Sequence, residues 1–163
     1  MYKLSKKKGC VLLEAIKTAY TPAFRKIIAL ARSGIVGKIK HIEATFTKLV
    51  KGNQWELNLS KYGGSITELA SYVMLPIVKL YGTKLHRVDF FAIKNKDTVD
   101  LFTQINVLSD KGIGLGKVGL GVKSEGELII SGTEGYIYVP SPWWKPTFFE
   151  VRCEDANENV RYC

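Results

Sequence analysis

After Gly82 the sequence changes character, and this change constrains the fold more than any other feature of the 163-residue chain. Five runs rich in β-branched and aromatic residues follow one another, separated by short turn sequences such as Asp110-Lys111-Gly112. The predicted strands are residues 85–94, 98–108, 112–123, 125–131 and 136–139. Because strands joined in order by short turns pair antiparallel, the sequence predicts a mostly antiparallel sheet.

Two segments before Gly82 have the pattern of amphipathic helices. The first begins at Pro22 after Thr21, whose side chain is predicted to cap it, and it ends at Gly34. The second covers residues 65–82 and starts with the capping-box sequence SITE. Both helices have one apolar face, so they are expected to cover one face of the sheet.

A further strand is predicted between these helices, because residues 38–48 alternate between two faces. If this strand joins the meander, the fold is an α+β domain with an open, mostly antiparallel sheet of about six strands. Residues 1–8 resemble the last turns of a helix that stops at Gly9. Residues 11–15 are predicted to form a short strand of the kind found inside parallel sheets.

Charge, cysteine content and hydropathy narrow the classes of function. The net charge is +9, but the excess lies in residues 1–40, where ten Lys and Arg residues face one acid. This distribution is typical of a solvated helix face; nucleic-acid binding, or a basic edge that faces an acidic segment or an anionic cofactor, are the alternatives. The three cysteines lack CxxC spacing and the histidines lack partners at ligand spacing, so no metal is expected. No apolar run approaches the ~20 residues that span a bilayer, and we expect a cytoplasmic protein without membrane contact.

Residues 114–119 match the GxGxxG pattern of phosphate-binding turns. That turn requires a preceding strand and a following helix whose N-terminus meets the pyrophosphate. No helix is predicted after residue 119, so we interpret the pattern as a glycine-rich strand.

Five short motifs occur in the order found in a known family. They are Glu14-Ala15, Tyr20-x-Pro22, and the sequences SGIVGKI at residues 33–39, GGSITELASY at 63–72 and ISGTEGYI at 130–137. Together they resemble the C-terminal domain of the Gfo/Idh/MocA oxidoreductases, in the branch that contains the dihydrodiol dehydrogenases. The resemblance implies that residues 1–15 are a remnant of the last helix and strand of an N-terminal Rossmann domain. Residues 16–163 would then be the C-terminal α+β domain for substrate binding and dimerisation, truncated at its C-terminal end.

The resemblance also implies what the full-length protein does. It would be an NAD- or NADP-dependent oxidoreductase that acts by hydride transfer on a polyol, namely a sugar, a cyclitol or a dihydrodiol. The Rossmann core, its glycine-rich loop and the Glu-Lys-Pro segment are missing from these residues, so this chain alone is expected to bind no cofactor and to be inactive. A non-enzymatic sheet module that dimerises or acts as a scaffold is the alternative, and nucleic-acid binding through the basic N-terminal segment is a third hypothesis.

Tyr72 is the candidate catalytic residue, and Glu68 is a candidate for substrate binding. The two lie four residues apart on one helix face, and a phenol near a carboxylate can bind a substrate hydroxyl and pass a proton during hydride transfer. The dihydrodiol-dehydrogenase branch resembles this chain in having tyrosine at the Tyr72 position. The alternatives are packing beside Pro76 for Tyr72 and a capping-box role for Glu68.

Lys17, Tyr20 and Trp143 are further candidates for substrate binding. Lys17 and Tyr20 follow the predicted strand 11–15, at whose C-terminal end ligands of α/β proteins usually bind. Trp143 lies in the sequence PSPWWKP at residues 140–146, which can form a stacking wall for a substrate or fill a core.

The predicted sheet has too few helices to cover both of its faces. Alternating residues such as Phe91, Phe102 and Val107 are expected to stay partly open on the uncovered face. We therefore expect a homodimer that closes this face.

Overall fold

The computed structural model describes residues 1–13, 15–52, 54–96 and 99–163. In these residues the helices are α1 (Tyr2–Lys8), α2 (Pro22–Ser33) and α3 (Ser65–Tyr81). The strands are β1 (His41–Thr47), β2 (Arg87–Lys94), β3 (Asp100–Ser109), β4 (Gly112–Gly119), β5 (Leu128–Ser131), β6 (Gly135–Val139), β7 (Phe149–Cys153) and β8 (Val160–Tyr162). Glu14 of the first motif, and Thr98 at the start of a predicted strand, lie outside the described residues.

One open sheet contains the eight described strands, in the order β2-β3-β4-β1-β5-β6-β7-β8. The parallel pair is β1 with β4, and the other neighbours are antiparallel. The prediction of a mostly antiparallel open sheet is confirmed, but the number of about six strands is wrong. The prediction omitted β7, although its sequence FEVRC alternates between apolar and charged residues, and β8, whose three residues show too little alternation to be recognised. It also left the position of β1 open, and β1 separates β4 from β5.

Helix α3 packs closely on β4, and two glycines of the GxGxxG sequence permit this. A Cβ atom at Gly116 would stand 2.8 Å from Cγ2 of Val73, and one at Gly114 would stand 3.0 Å from Cδ1 of Ile77. Residues 114–119 lie in strand β4, which confirms the interpretation as a glycine-rich strand. The glycines therefore serve helix-to-sheet packing, and Val73 and Ile77 are fully buried as a result.

Helix α2 has the predicted bounds but a different N-terminal contact. It begins at Pro22 and ends before Gly34, whose φ of 88° stops the helix in the left-handed region. The Thr21 side chain does not cap the helix, because its Oγ1 donates to the Thr18 carbonyl over 3.0 Å. The Thr21 hydroxyl therefore forms its hydrogen bond within the preceding 3-10 turn instead of capping α2.

The first residues of helix α3, which starts at Ser65, are hydrogen-bonded to strand β3, and the predicted capping box does not form. The Ile66 N–H donates to Oδ2 of Asp100 over 2.9 Å, and Ser65 Oγ donates to the Asp100 carbonyl over 2.7 Å. A partner distant in the sequence therefore supplies the cap that the local sequence was expected to provide.

The predicted strand at residues 11–15 is wrong for the residues that the structure describes. Residues 11–13 and 15 have no regular structure, and Val11 is 84% exposed. A strand of a parallel sheet needs hydrogen-bonded neighbours, and the sheet of the described residues does not include this segment. The preceding helix is confirmed as α1, in which all residues are at least partly exposed.

The helices α2 and α3 cover one face of the sheet, and their buried residues share one core with it. Val107 belongs to this covered face, since it is 1% exposed and pairs with Gly114 beneath α3. Its predicted place on the uncovered face was wrong, because residues 102 and 107 are an odd number apart and point to opposite sides. The uncovered face does contain exposed apolar side chains, namely Phe91, Ile93, Leu108 and Ile113.

None of the described helices has the length and apolar character needed to cross a bilayer.

Candidate active site

Tyr72 contacts the end of strand β1 through an aromatic pair. Its ring lies edge-on to that of Phe46, with 5.0 Å between the ring centroids and 76° between the planes. Phe46 points to the covered face of the sheet, as do the buried Ile42 and Ala44 on the same strand. Both rings are only partly buried. The position of α3 on the sheet thus places Tyr72 at the edge of the core.

Trp144 extends this pair into a row of three rings. Its indole stacks on Phe46 with a centroid distance of 3.7 Å and an interplanar angle of 9°. Gly126 makes room for the indole, because a Cβ atom there would stand 2.8 Å from Cζ3 of Trp144. We refer to Tyr72, Phe46 and Trp144 as the aromatic row.

Trp143 contacts the aromatic row from the core side, with its ring edge-on to that of Trp144 at a centroid distance of 6.3 Å. It is fully buried, and its Nε1 donates to the Thr45 carbonyl over 2.9 Å. Its ring lies 6.3 Å from that of Phe24 on α2. Trp143 therefore cannot contact a substrate in this conformation. The structure places it in the core, which was the alternative for this residue, and Trp144 is the partly exposed tryptophan of the pair.

The turn that contains Lys17 and Tyr20 lies beside the loop of Trp144. It is a 3-10 turn, and its buried Thr18 donates through Oγ1 to the Trp144 carbonyl over 3.1 Å. The side chains of Lys17 and Tyr20 are both exposed. Tyr20 lines a separate cavity of about 490 Å³ together with Arg25 and other residues of α2. The structure brings the turn near the aromatic row but turns Tyr20 towards α2.

Glu68 precedes Tyr72 by one turn of α3 and is partly buried. At the start of the helix, Ser65 Oγ and the Ile66 N–H donate their hydrogen bonds to Asp100 rather than to Glu68. A capping role therefore does not account for the carboxylate, and its position on the Tyr72 face leaves it available to a ligand.

The connection between β1 and α3 contains a buried carboxylate, Glu56. Glu56 accepts a hydrogen bond from Nζ of Lys48 over 3.1 Å. A backbone hydrogen bond, followed by the Lys48 ammonium, lowers the pKa of the Glu56 carboxyl below its usual value. The partly exposed Trp55 precedes Glu56 in the same turn. This ion pair fixes the chain that leads from Phe46 towards Tyr72.

A metal centre is not found in the part of the chain that the structure describes, because no three His, Cys, Asp or Glu side chains come together there.

Phe46 and Thr18 were not predicted as candidate residues, and Trp144 was included only as part of the tract at residues 140–146, from which Trp143 was chosen. The signal for Phe46 was its place in the alternating pattern of a predicted strand, on the same face as Ile42 and Ala44. The signal for Trp144 was its position next to Trp143, because one of two adjacent side chains can be buried while the other stays accessible. Thr18 gave no signal, because its contact with Trp144 joins residues 126 positions apart.

Comparison with known sequences finds dihydrodiol dehydrogenases. The chain is 23% identical over 152 residues to trans-1,2-dihydrobenzene-1,2-diol dehydrogenase of Sus scrofa. This alignment covers 92% of this chain and 45% of that protein. It is 26% identical over 150 residues to the enzyme of the same name from Danio rerio, in an alignment that covers 90% of this chain and 45% of that enzyme. The chain thus spans about half the length of the curated relatives it matches. No protein-family model matches the chain.

Comparison with solved structures finds the same fold in oxidoreductases, of which two are described. A 3-ketoreductase from Actinomadura kijaniata, in complex with TDP-benzene and NADP, matches with a TM-score of 0.83 and 15% identity over 99% of this chain and 50% of that one. An aldose-aldose oxidoreductase from Caulobacter crescentus, complexed with glycerol, matches with a TM-score of 0.84 and 16% identity over 99% and 50%. The resemblance predicted from the sequence motifs is confirmed.

Proposed function

We propose that this chain is the substrate-binding half of an NAD(P)-dependent oxidoreductase. The proposal is based on its similarity to dihydrodiol dehydrogenases and to one half of the chain in each of two oxidoreductases of the Gfo/Idh/MocA type. The substrate class is a sugar, a cyclitol or a dihydrodiol. The observation that carries this proposal is the similarity to dihydrodiol dehydrogenases along 92% of the chain. In this proposal residues 16–163 are the substrate domain of a longer protein.

Tyr72 has the central chemical role in this proposal. Its phenol binds the reacting hydroxyl of the substrate and takes or returns the proton of that hydroxyl. The Glu68 carboxylate, one helical turn away, accepts a hydrogen bond from a second hydroxyl. Sugars, cyclitols and dihydrodiols all present at least two hydroxyls, which is what such a pair of groups requires.

The aromatic row supplies the surface for the carbon ring of the substrate. Phe46 and Trp144 lie parallel at 3.7 Å, and Trp144 is partly exposed at the end of the row. A flat aromatic surface beside polar groups can hold the apolar face of a ring while the hydroxyls meet the polar groups. Lys17 is proposed as a neighbour of the substrate because its turn is bound to the Trp144 loop through Thr18. Tyr20 is the weaker neighbour, since it lines the cavity on α2.

The nicotinamide cofactor is proposed for the longer protein and not for this chain. The 3-ketoreductase with the same fold was solved with NADP. The GxGxxG sequence at residues 114–119 does not fit a dinucleotide, because Gly114 and Gly116 lie in β4 and are covered by Ile77 and Val73 of α3. A pyrophosphate cannot approach backbone that a helix already covers. The groups that hold the cofactor are therefore expected elsewhere in the longer protein.

Two measurements test the proposed function. The complete protein encoded by the reading frame that contains these residues is assayed with trans-dihydrodiols, inositol and glucose, each with NAD and with NADP. Reduction of either nucleotide supports the proposal, and a folded protein that reduces neither with any of these substrates contradicts it. The 163-residue chain alone is titrated with NADH and NADPH, and no change in their fluorescence is expected. Micromolar binding would show that this chain itself carries a cofactor site.

A dimerising sheet module without enzymatic activity is the second candidate function. The observation that favours it is the uncovered sheet face, where Phe91 and Ile93 are exposed on the edge strand β2. A second copy that closes this face would form a two-fold dimer, which is also expected of the oxidoreductase. The nucleotide-reduction assay distinguishes the two functions.

A further inference from the structure

A cavity of about 330 Å³ lies between the C-terminal ends of α2 and α3 and the turn that joins β3 to β4. Tyr81 at the end of α3 lines it, and Tyr72 is nine residues earlier on the same helix, about 14 Å away along the axis. The cavity is therefore separate from the aromatic row. Its volume is at the lower end of the about 300–1,000 Å³ range of small-molecule sites.

The charge around this cavity is strongly positive. Among the lining residues that the structure describes, the four cations come from three separate segments and the acid is Asp110; the cations are Arg32, Lys38, Lys40 and Lys111. The Asp110 carboxylate already has a partner, since Oδ1 lies 2.6 Å from Nε2 of His86. The apolar part of the lining comes from Ala31, Ile39 and Leu80.

Helix capping explains two of these cations only in part. Nη2 of Arg32 donates to the Lys79 carbonyl over 2.6 Å, and Nζ of Lys111 donates to the Leu80 carbonyl over 3.2 Å. These contacts satisfy carbonyls at the end of α3, which is a usual role of basic residues there. They also fix the two cationic groups at the cavity, where the guanidinium and the ammonium each keep further donors.

The backbone holds Lys38 and Lys40 in place without using their ammonium groups. The Lys38 N–H donates to Oγ1 of Thr133 over 3.0 Å, and the Lys40 N–H donates to the Ser131 carbonyl over 2.9 Å. The Lys40 carbonyl accepts from the Ile113 N–H over 3.0 Å. Both lysines therefore start from a fixed backbone at the rim of the cavity, and capping of a helix does not account for them.

The sum of these charges favours an anion. The ends of two helices contribute about −0.5 each, Asp110 contributes −1 and Glu134, whose side chain lies against Gly37, contributes −1, against four cations, so the net charge is about +1. The four cationic side chains are exposed, so their attraction for an anion weakens as salt is added. A phosphate group is an anion with several acceptor oxygens for guanidinium and ammonium donors.

We propose that this cavity binds the phosphate group of a small molecule. Arg32, Lys38, Lys40 and Lys111 contact the phosphate oxygens, and the apolar lining contacts the remainder of the ligand. This site does not depend on the proposed oxidoreductase function, and either can fail without the other.

The test follows backbone amide signals by NMR while the chain is titrated with sodium phosphate and, separately, with glycerol 3-phosphate. Ionic strength is kept constant with sodium chloride. We expect saturable shifts confined to residues around Gly37, Ile39 and Lys111. Tighter binding of glycerol 3-phosphate identifies a phosphate ester as the ligand, and equal binding identifies free phosphate. Shifts that do not saturate, or that centre on other residues, overturn the proposal.

Two double variants with the same loss of charge complete the test. Lys38→Gln with Lys40→Gln should raise the Kd for phosphate at least tenfold. Lys6→Gln with Lys7→Gln removes two exposed charges of α1 and should leave the Kd within twofold. An equal effect of both double variants would mean that only the overall charge of the protein matters, which would overturn the site. Amide spectra of the free variants confirm that each is folded.

Discussion

The Asp100 carboxylate accepts a hydrogen bond from the Ile66 backbone N–H over 2.9 Å, and through this contact strand β3 caps the helix that carries Tyr72. The same oxygen, Oδ2, accepts from Oγ1 of Thr103 over 2.8 Å. The first turn of α3 is thus fixed to the sheet rather than stabilised by its own side chains. The position of the helix that carries Tyr72 therefore depends on a residue of β3.

Replacement of Asp100 should destabilise the protein through the loss of this cap. Asp100→Ala removes the acceptor for both Ile66 and Thr103, so the free energy of unfolding should fall by about 1–3 kcal/mol in urea titrations. Asp100→Asn keeps one acceptor oxygen and should lose less. Asp110→Ala is the control, because its ion pair with His86 is exposed and should contribute at most about 1 kcal/mol. Equal losses in Asp100→Ala and Asp110→Ala would contradict the cap.

Substitution of Gly126 should disturb the aromatic row. A Cβ atom at residue 126 would stand 2.8 Å from Cζ3 of Trp144, so Gly126→Ala should displace the indole from Phe46. We expect a loss of near-ultraviolet circular dichroism and a shift in tryptophan emission. The same substitution in a Trp144→Phe background should leave the emission of the remaining tryptophans unchanged. A shift that persists in that background would assign the effect to another tryptophan.

The buried Tyr81 should make stability depend on alkaline pH. Burial raises the pKa of Tyr81 to about 12 from its usual value near 10. Its contribution to stability is complete below pH about 10 and is lost as the pH rises through about 12, because ionisation is easier in the unfolded chain. Tyr81→Phe also removes the hydrogen bond to the Ile113 carbonyl, which lowers stability by about 1 kcal/mol at neutral pH. Between pH 10 and 12 the variant should lose less stability than the wild-type protein in urea titrations, and parallel profiles would argue against burial of the phenol.

The uncovered sheet face should form the interface of a two-fold dimer. Phe91 and Phe90 are neighbours on β2 with 59% and 55% exposure, but Phe91 points to the uncovered face and Phe90 to the face of the helices. Phe91→Asp should therefore shift sedimentation from dimer to monomer at tens of micromolar, whereas Phe90→Asp should not. The dimer is expected to bury more than roughly 1,000 Å². A wild-type protein that sediments as a monomer at this concentration would contradict the interface.

Local signals in the sequence predicted the features that depend on neighbouring residues. Helix α2 was predicted from Pro22 and Gly34, because both act within one turn of the chain. The cap of α3 was not predicted, because Asp100 is 34 residues from Ile66 and is brought there by the sheet. The capping box predicted from the local sequence SITE does not form, because the Ile66 N–H and the Ser65 hydroxyl bond to Asp100 instead.

The candidate site was predicted in part for the same reason. Tyr72 and Glu68 were chosen from helical spacing and from the family resemblance, and both lie on one face of α3 as expected. The row with Phe46 and Trp144 depends on the pairing of β1 between β4 and β5, which no local pattern indicates. Trp143 was chosen as the substrate-binding tryptophan, but the sequence does not show which of the two adjacent indoles is buried in the core, and that one is Trp143.

The turnover of a Tyr72→Phe variant in the complete protein tests the central claim most directly. The substitution keeps the ring beside Phe46 and removes the hydroxyl, so the melting temperature should stay within a few degrees. Tyr62→Phe is the control, since Tyr62 is exposed and precedes α3. If Tyr72 passes the proton of the substrate hydroxyl, kcat should fall on the order of a hundredfold or more in Tyr72→Phe and stay unchanged in Tyr62→Phe. A kcat within a few-fold of the wild-type value in Tyr72→Phe would contradict the account.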